Sequence, residues 1–264
     1  MGKLRDLATA VDPALILQAA GMMADPWQEQ ALRSRPRQLL LNCSRQSGKT
    51  AVAAAMAVDE ALNKAPALVL VLSPSLRQSQ EGFRAIMQIH QRLGGSVAPD
   101  QESSLRVELP NGSRIIALPG KEATVRGYSA VALLLIDEAA RVPDDLYHAL
   151  RPMLAVSGGR LSLMSTPFGR RGFFYREWAE GEGWEKVKIT AEQCPRIPAS
   201  FLEQERRSLP EAWFQQEYFC EFMEPDSAFF SYADVMGALT EDVKPLFELP
   251  AGAVSADVAP LFVM

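Results

Sequence analysis

Short apolar runs alternate along the chain with longer stretches in which apolar residues return every three or four positions. The runs Gln38–Cys43, Ala67–Leu72, Val131–Ile136, Arg160–Met164 and Glu185–Ile189 predict strands. Several are continuous Leu/Val/Ile, as strands covered on both faces of a parallel sheet require. Lys49–Asn63, Ser75–Arg92 and Asp144–Leu154 read as helices between them. Leu105–Leu109 and Ser113–Ala117 alternate in polarity about Pro110-Asn111-Gly112, which predicts a β-hairpin. Together these elements predict an α/β fold, a doubly wound and mostly parallel sheet with an inserted hairpin. After Thr190 the rhythm changes. Pro198–Leu209 and Glu211–Phe222 predict two helices parted by Pro210, with Trp213, Phe214, Tyr218 and Phe222 as a stripe expected in the core. The expected division is a core over 1–190, a small helical subdomain over 191–235, and an acidic tail or the start of another domain over 236–264.

Composition narrows the class. Of 264 residues, 48% are hydrophobic and 22% charged, ordinary for a globular protein. The net charge of −5 is uneven, because residues 224–264 hold seven acids against Lys244 alone. Global charge therefore does not mark a nucleic-acid binder. The cluster Arg33-Ser34-Arg35-Pro36-Arg37 reads as a solvated turn or as a contact to phosphates. Cys43, Cys194 and Cys220 have no metal-ligand spacing and make no disulfide framework, so a reducing compartment is expected. No apolar stretch reaches the roughly 18–20 residues of a membrane span, and the first residues lack a signal-peptide core. A cytosolic protein with no membrane contact is expected.

The chemistry concentrates where predicted strands end. Ser44-Arg45-Gln46-Ser47-Gly48-Lys49-Thr50 joins the first strand to an Ala-rich helix. Backbone N–H groups at such a helix N-terminus cradle anionic oxygens. Gly48 permits close approach, Lys49 reaches β- and γ-phosphates, and the Thr50 hydroxyl joins a Mg²⁺ shell. The usual pattern places glycine where this chain has Cys43, and it lacks an arginine like Arg45. Val131-Ala-Leu-Leu-Leu-Ile-Asp137-Glu138 supplies the second half. Asp137 is expected beside Thr50 on the Mg²⁺, and Glu138 is expected to orient or deprotonate the attacking water. Leu163-Met-Ser165-Thr166-Pro167 leaves a third strand with small hydroxyl residues that either sense the γ-phosphate or cap a turn. Gln28, in Asp25-Pro26-Trp27-Gln28, either reads adenine or closes a capping box.

Taken together, these motifs resemble the ATPase domain of a tailed-bacteriophage terminase large subunit, over roughly residues 20–235. The resemblance rests on Pro26-Trp27-Gln28, the Ser44–Thr50 loop, Val125–Ala130 running into Leu135–Ala140, Ser165–Gly169, Cys194-Pro195-Arg196-Ile197 and Gln216-Glu217-Tyr218. It implies a P-loop NTPase core with a small lid after residue 190. It further implies ATP and Mg²⁺ as cofactors, with Trp27, Gln28, Ser44, Gln46, Ser47, Gly48, Lys49 and Thr50 about the nucleotide. Arg126 is expected as an arginine finger reaching a neighbouring subunit and Arg45 as a nucleotide-state sensor, with Arg45 touching the phosphates from within the same subunit as the rival for the finger, and Thr166 is expected in a coupling motif. The implied partners are double-stranded DNA, a portal protein, a small terminase subunit and further copies in a ring, with a monomer expected in isolation. The implied location is the cytoplasm of an infected bacterial host. The family's nuclease domain is expected to be missing, with Asp257 as a possible remnant, so ATP hydrolysis without DNA cleavage is expected. Arg77, Arg84, Arg170 and Arg171 are weighed as DNA contacts or surface charges. Other readings are a helicase-like translocase and a non-catalytic nucleotide-binding assembly module.

Overall fold

The computed structural model describes residues 2–95, 103–120 and 127–224. The tail over 236–264, with Asp257, lies outside them. Seven strands form one sheet: β1 (Gln38–Cys43), β2 (Leu68–Ser73), β3 (Arg106–Glu108), β4 (Arg114–Pro119), β5 (Leu133–Asp137), β6 (Arg160–Ser165) and β7 (Glu185–Ile189). Their order is β3-β4-β2-β5-β6-β1-β7, and every pairing is parallel except β3 with β4. The α/β class with a mostly parallel sheet is therefore as expected. The all-apolar runs occupy the centre, where β2 and β6 are buried along their whole length. The edges are blunter: β3 is three residues long, and β7 carries Glu185, Lys186 and Lys188.

Nine helices are described: α1 (Gly2–Val11), α2 (Leu15–Ala19), α3 (Pro26–Ser34), α4 (Lys49–Asn63), α5 (Leu76–Arg92), α6 (Asp144–Leu150), α7 (Gly172–Ala179), α8 (Ala199–Ser208) and α9 (Glu211–Phe219). Helices α2 to α5 pack on one face of the sheet and α6 and α7 on the other, so each face has its own apolar core. Helix α4 is buried continuously from Val52 to Ala61, and its alanines let backbones approach closely. Two acids in that helix are neutralised from outside it. Arg35 Nη2 reaches Asp59 Oδ1 at 2.7 Å, and Arg160 Nη1 reaches Glu60 Oε2 at 3.1 Å. Arg33 pairs with Asp12 and Glu29, each at 2.9 Å. Two arginines of the basic cluster thus hold helices together.

Several boundaries differ from expectation for local reasons. The helix expected over Asp144–Leu154 ends at Leu150 and tightens into a 3₁₀ turn over Arg151–Leu154. Pro152 lacks the N–H that an α-helix would need there. The last helix stops at Phe219, because Cys220 turns left-handed at φ +60° and Asn42 Nδ2 donates to its carbonyl at 2.9 Å. The expected stripe is therefore split. Phe214 and Tyr218 are buried, Trp213 is 52% exposed, and Phe222 packs against Phe174, Tyr175 and Trp178. Beyond residue 190, Ala191, Phe214 and Tyr218 form a small core of their own, while the chain through Met223 makes one contact unit.

Candidate functional site

The carboxyl ends of β1, β5 and β6 converge on one cavity of about 820 Å³. Strand β1 delivers Cys43 fully buried, and Ser44 N–H continues the pairing by donating to Ile189 C=O at 2.8 Å. Burial pushes the Cys43 thiol up to about 12. A buried apolar-behaving side chain fits this extended position, so glycine is not required. The turn itself is made by Gln46 at φ +59° and Gly48 at φ +91°. A Cβ on residue 48 would lie 2.7 Å from Gln28 Nε2 and 2.8 Å from Arg196 Nη2, so the site is shaped for glycine twice over. Lys49 then opens α4.

Across the cavity, β5 ends in Asp137 and Glu138. Glu138 is left-handed, φ +51° and ψ +41°, a conformation that costs a non-glycine residue about 1–2 kcal/mol and persists where surroundings enforce it. Its N–H donates to Asp137 Oδ1 at 2.9 Å. Its carboxylate meets Lys49 Nζ at 2.7 Å, Arg141 Nη1 at 3.3 Å and Ser165 Oγ at 3.5 Å. Burial opposes a charged Lys49, but the carboxylates of Glu138 and Asp137 outweigh it and hold the ammonium above its ordinary value. Burial also pushes the Asp137 carboxyl up to about 6, with Lys49 working against that rise and Glu138 adding to it.

Of the residues singled out from sequence, Gln28, Arg45, Gln46, Ser47, Gly48, Lys49, Thr50, Glu138 and Thr166 all line this cavity. Thr166 is 2% exposed, and its Oγ1 has no hydrogen-bond partner. Gln28 does close a capping box, its Oε1 accepting from Asp25 N–H at 2.9 Å, while its Nε2 donates to Gly48 C=O at 3.2 Å. Arg45 lies at the cavity rim but forms an ion pair with Glu217 of α9. Three expected residues stand elsewhere. Trp27 is buried in the core, Ser44 is buried behind the loop with its Oγ on Arg45 C=O at 3.3 Å, and Asp137 sits behind Glu138. Arg126 lies outside the described residues.

Sequence reasoning missed Arg141, Arg196 and the apolar wall of Leu17, Met22 and Met23. Arg141 also stands over the Phe168 ring at 4.7 Å, tying the end of β5 to the segment after β6. Arg196 belongs to a motif quoted above, but its spacing from the loop gives no hint that the two meet. Among the candidate DNA contacts, Arg84 pairs with Glu81 at 2.9 Å, Arg170 Nε donates to Phe222 C=O at 3.0 Å, and Arg171 stacks on Phe168 at 4.4 Å. Arg77 is exposed at the start of α5.

The chain is 26% identical to the terminase large subunit of Thermus phage G20c, covering 77% of this chain and 50% of that protein. It is also 26% identical to the terminase large subunit of Escherichia phage T5, covering 58% and 37%. The chain thus spans half or less of these relatives' length. Its fold matches the large terminase ATPase domain of Thermus phage P74-26 with a TM-score of 0.68 at 21% identity, over 78% of this chain and 97% of that one. The large terminase of the thermophilic bacteriophage D6E, solved with ADP, matches with a TM-score of 0.64 at 13% identity, over 75% and 53%. The family model described as "Terminase large subunit, T4likevirus-type, N-terminal" matches residues 40–235, and the chain belongs to that family.

Proposed function

We propose that this chain binds and hydrolyses ATP with Mg²⁺ and so drives double-stranded DNA into a viral procapsid. The observation that carries the reading is the 2.7 Å contact of Lys49 Nζ with Glu138 Oε1, which joins the phosphate loop to the strand-end acid across one cavity. Loop N–H groups at the start of α4 receive the phosphates, and Lys49 leaves Glu138 for the β- and γ-oxygens. Glu138, released and still held by Arg141, orients the attacking water and takes its proton.

The donor set fits a Mg²⁺. Thr50 offers a hydroxyl at the cavity wall, and Asp137, next to the cavity-lining Glu138, has a carboxyl pushed up by burial that a cation would bring back down. Thr50 and Asp137 would hold it, and the ion would supply positive charge against the phosphates. Gln28 suits adenine. With one N–H and one lone pair already spent on Gly48 and Asp25, its remaining donor and acceptor match adenine N7 and N6. The unpartnered hydroxyl of the cavity-lining Thr166 supports a role in sensing the γ-phosphate. Arg45, shared between the loop and α9, serves as the nucleotide-state sensor, and Arg126 as the finger acting on a neighbouring copy. Portal protein, a small terminase subunit and a ring of copies complete the assembly, in the cytoplasm of the infected host.

The test is steady-state hydrolysis together with equilibrium nucleotide binding. Glu138→Ala retains ATP binding and loses turnover by roughly 10²–10⁴-fold, whereas Lys49→Ala loses binding itself. Turnover at the unmodified rate in Glu138→Ala would remove Glu138 from its role. Rate per chain rising with protein concentration, and abolished in Arg126→Ala, is expected if the site is shared between copies.

A further inference from the structure

Three segments distant in sequence meet at Gly48, and the third was assigned no role above. Arg196 Nη2 donates to Ser47 C=O at 2.8 Å. The same guanidinium grips Asp25, Nη1 on Oδ1 at 3.2 Å and Nη2 beside Oδ2 at 2.8 Å. Asp25 N–H in turn is accepted by Gln28 Oε1 at 2.9 Å, and Gln28 Nε2 donates to Gly48 C=O at 3.2 Å. The contacts close a ring: Arg196 to Asp25, Asp25 to Gln28, Gln28 to Gly48, and Ser47 back to Arg196.

We infer that Arg196 is a positioning residue for base recognition, setting the angle of the Gln28 amide against the phosphate loop and so the preference for adenine over guanine. This rests on the ATP reading above. The physical case is the planar fork. One guanidinium donates to a carboxylate and a carbonyl at fixed angles, which a lone ammonium reproduces poorly. Asp25 is 7% exposed, so without its cation it is a nearly buried, uncompensated carboxylate and shifts toward solvent. Its N–H is the anchor of the Gln28 carbonyl oxygen, so the amide is left with Gly48 C=O alone to fix which of its ends is which. Guanine presents two acceptors, O6 and N7, where adenine presents a donor and an acceptor. An amide held by one of these two bonds rather than both discriminates less between the bases.

The test is equilibrium binding of ATP and GTP to the full chain, unmodified and Arg196→Ala, with thermal unfolding to verify the fold. The unmodified protein is expected to prefer ATP. In Arg196→Ala, ATP affinity falls roughly tenfold while GTP affinity changes little, so the preference narrows. Arg196→Lys narrows it less, and it decides the matter if the alanine variant does not fold. Equal losses for both nucleotides, or an unchanged ratio in the folded variants, would overturn the inference while leaving the ATP site standing. An unmodified protein that binds ATP without preferring it would also overturn it. Binding of neither nucleotide by the unmodified protein would instead sink the ATP reading and this inference together.

Discussion

Gly48 shows how much one position can demand. Its φ of +91° alone costs an L-residue about 1–2 kcal/mol. The neighbouring ends of Gln28 and Arg196 are flexible, so a methyl group there displaces them rather than the backbone. Gly48→Ala is therefore expected to lower stability by about 1–2 kcal/mol in urea unfolding and to weaken nucleotide binding beyond what that loss explains. An unaltered nucleotide affinity would show that the two side chains tolerate displacement. At this scale the sequence was informative about residues whose partners lie in a short motif. Lys49 and Thr50 open the helix that follows β1 and Glu138 follows the end of β5, places that the apolar runs mark, and all three line the cavity. Arg141 and Arg196 were illegible as site residues because only the tertiary fold brings them to the cavity. Of the two readings of Gln28 the capping box is formed, and the same amide also reaches Gly48.

Among the elements, α4 is the most enclosed, and its acids are the place where a single change would be felt. Glu60 is 3% exposed and depends on Arg160, itself nearly buried, with the half-exposed Lys64 as its other cation at 3.1 Å. Arg160→Met leaves that carboxylate under-compensated and is expected to cost about 3 kcal/mol, read as a lowered denaturation midpoint. The double variant Arg160→Met/Glu60→Gln should recover most of the loss, since the charge and its counter-ion leave together. If the double variant is no better than the single, packing rather than charge holds the pair. Element identity was largely readable because central strands are uninterrupted apolar runs. The ends were less so. Pro152 was present in the expected helix and its effect was foreseeable, whereas the stop at Phe219 depends on Asn42, 178 positions from the carbonyl it binds. The helices α1, α2 and α7 are short or start at glycine, and their apolar faces are too brief for periodicity to stand out.

Across the whole molecule the three thiols are all buried, which gives a chemical test of folding. Burial raises Cys43 to about 12 from 9.0, and it raises Cys194 and Cys220 as well. A raised folded value means that the protonated thiol is favoured in the native state. The associated stability is complete below 9.0 and is lost as pH climbs toward about 12, while unfolded thiols ionise. Stability is thus expected to fall between pH 9 and 11, less steeply in Cys43→Ala. Thiol reagents at pH 8 should modify none of the three in the folded chain and all three after denaturation. Rapid labelling of the native protein would contradict this burial.

Helix α9 is moored twice, by Glu217 to Arg45 of the phosphate loop and by Gln216 Oε1, which accepts from Gly169 N–H at 3.2 Å beyond β6. One turn before those moorings Trp213 turns its indole outward, whereas Trp27 is buried and Trp178 and Trp184 are only partly open. Nature has in effect fitted the helix with an optical gauge: aqueous quenchers will reach this fluorophore first, and its emission will register any change in how α9 is held.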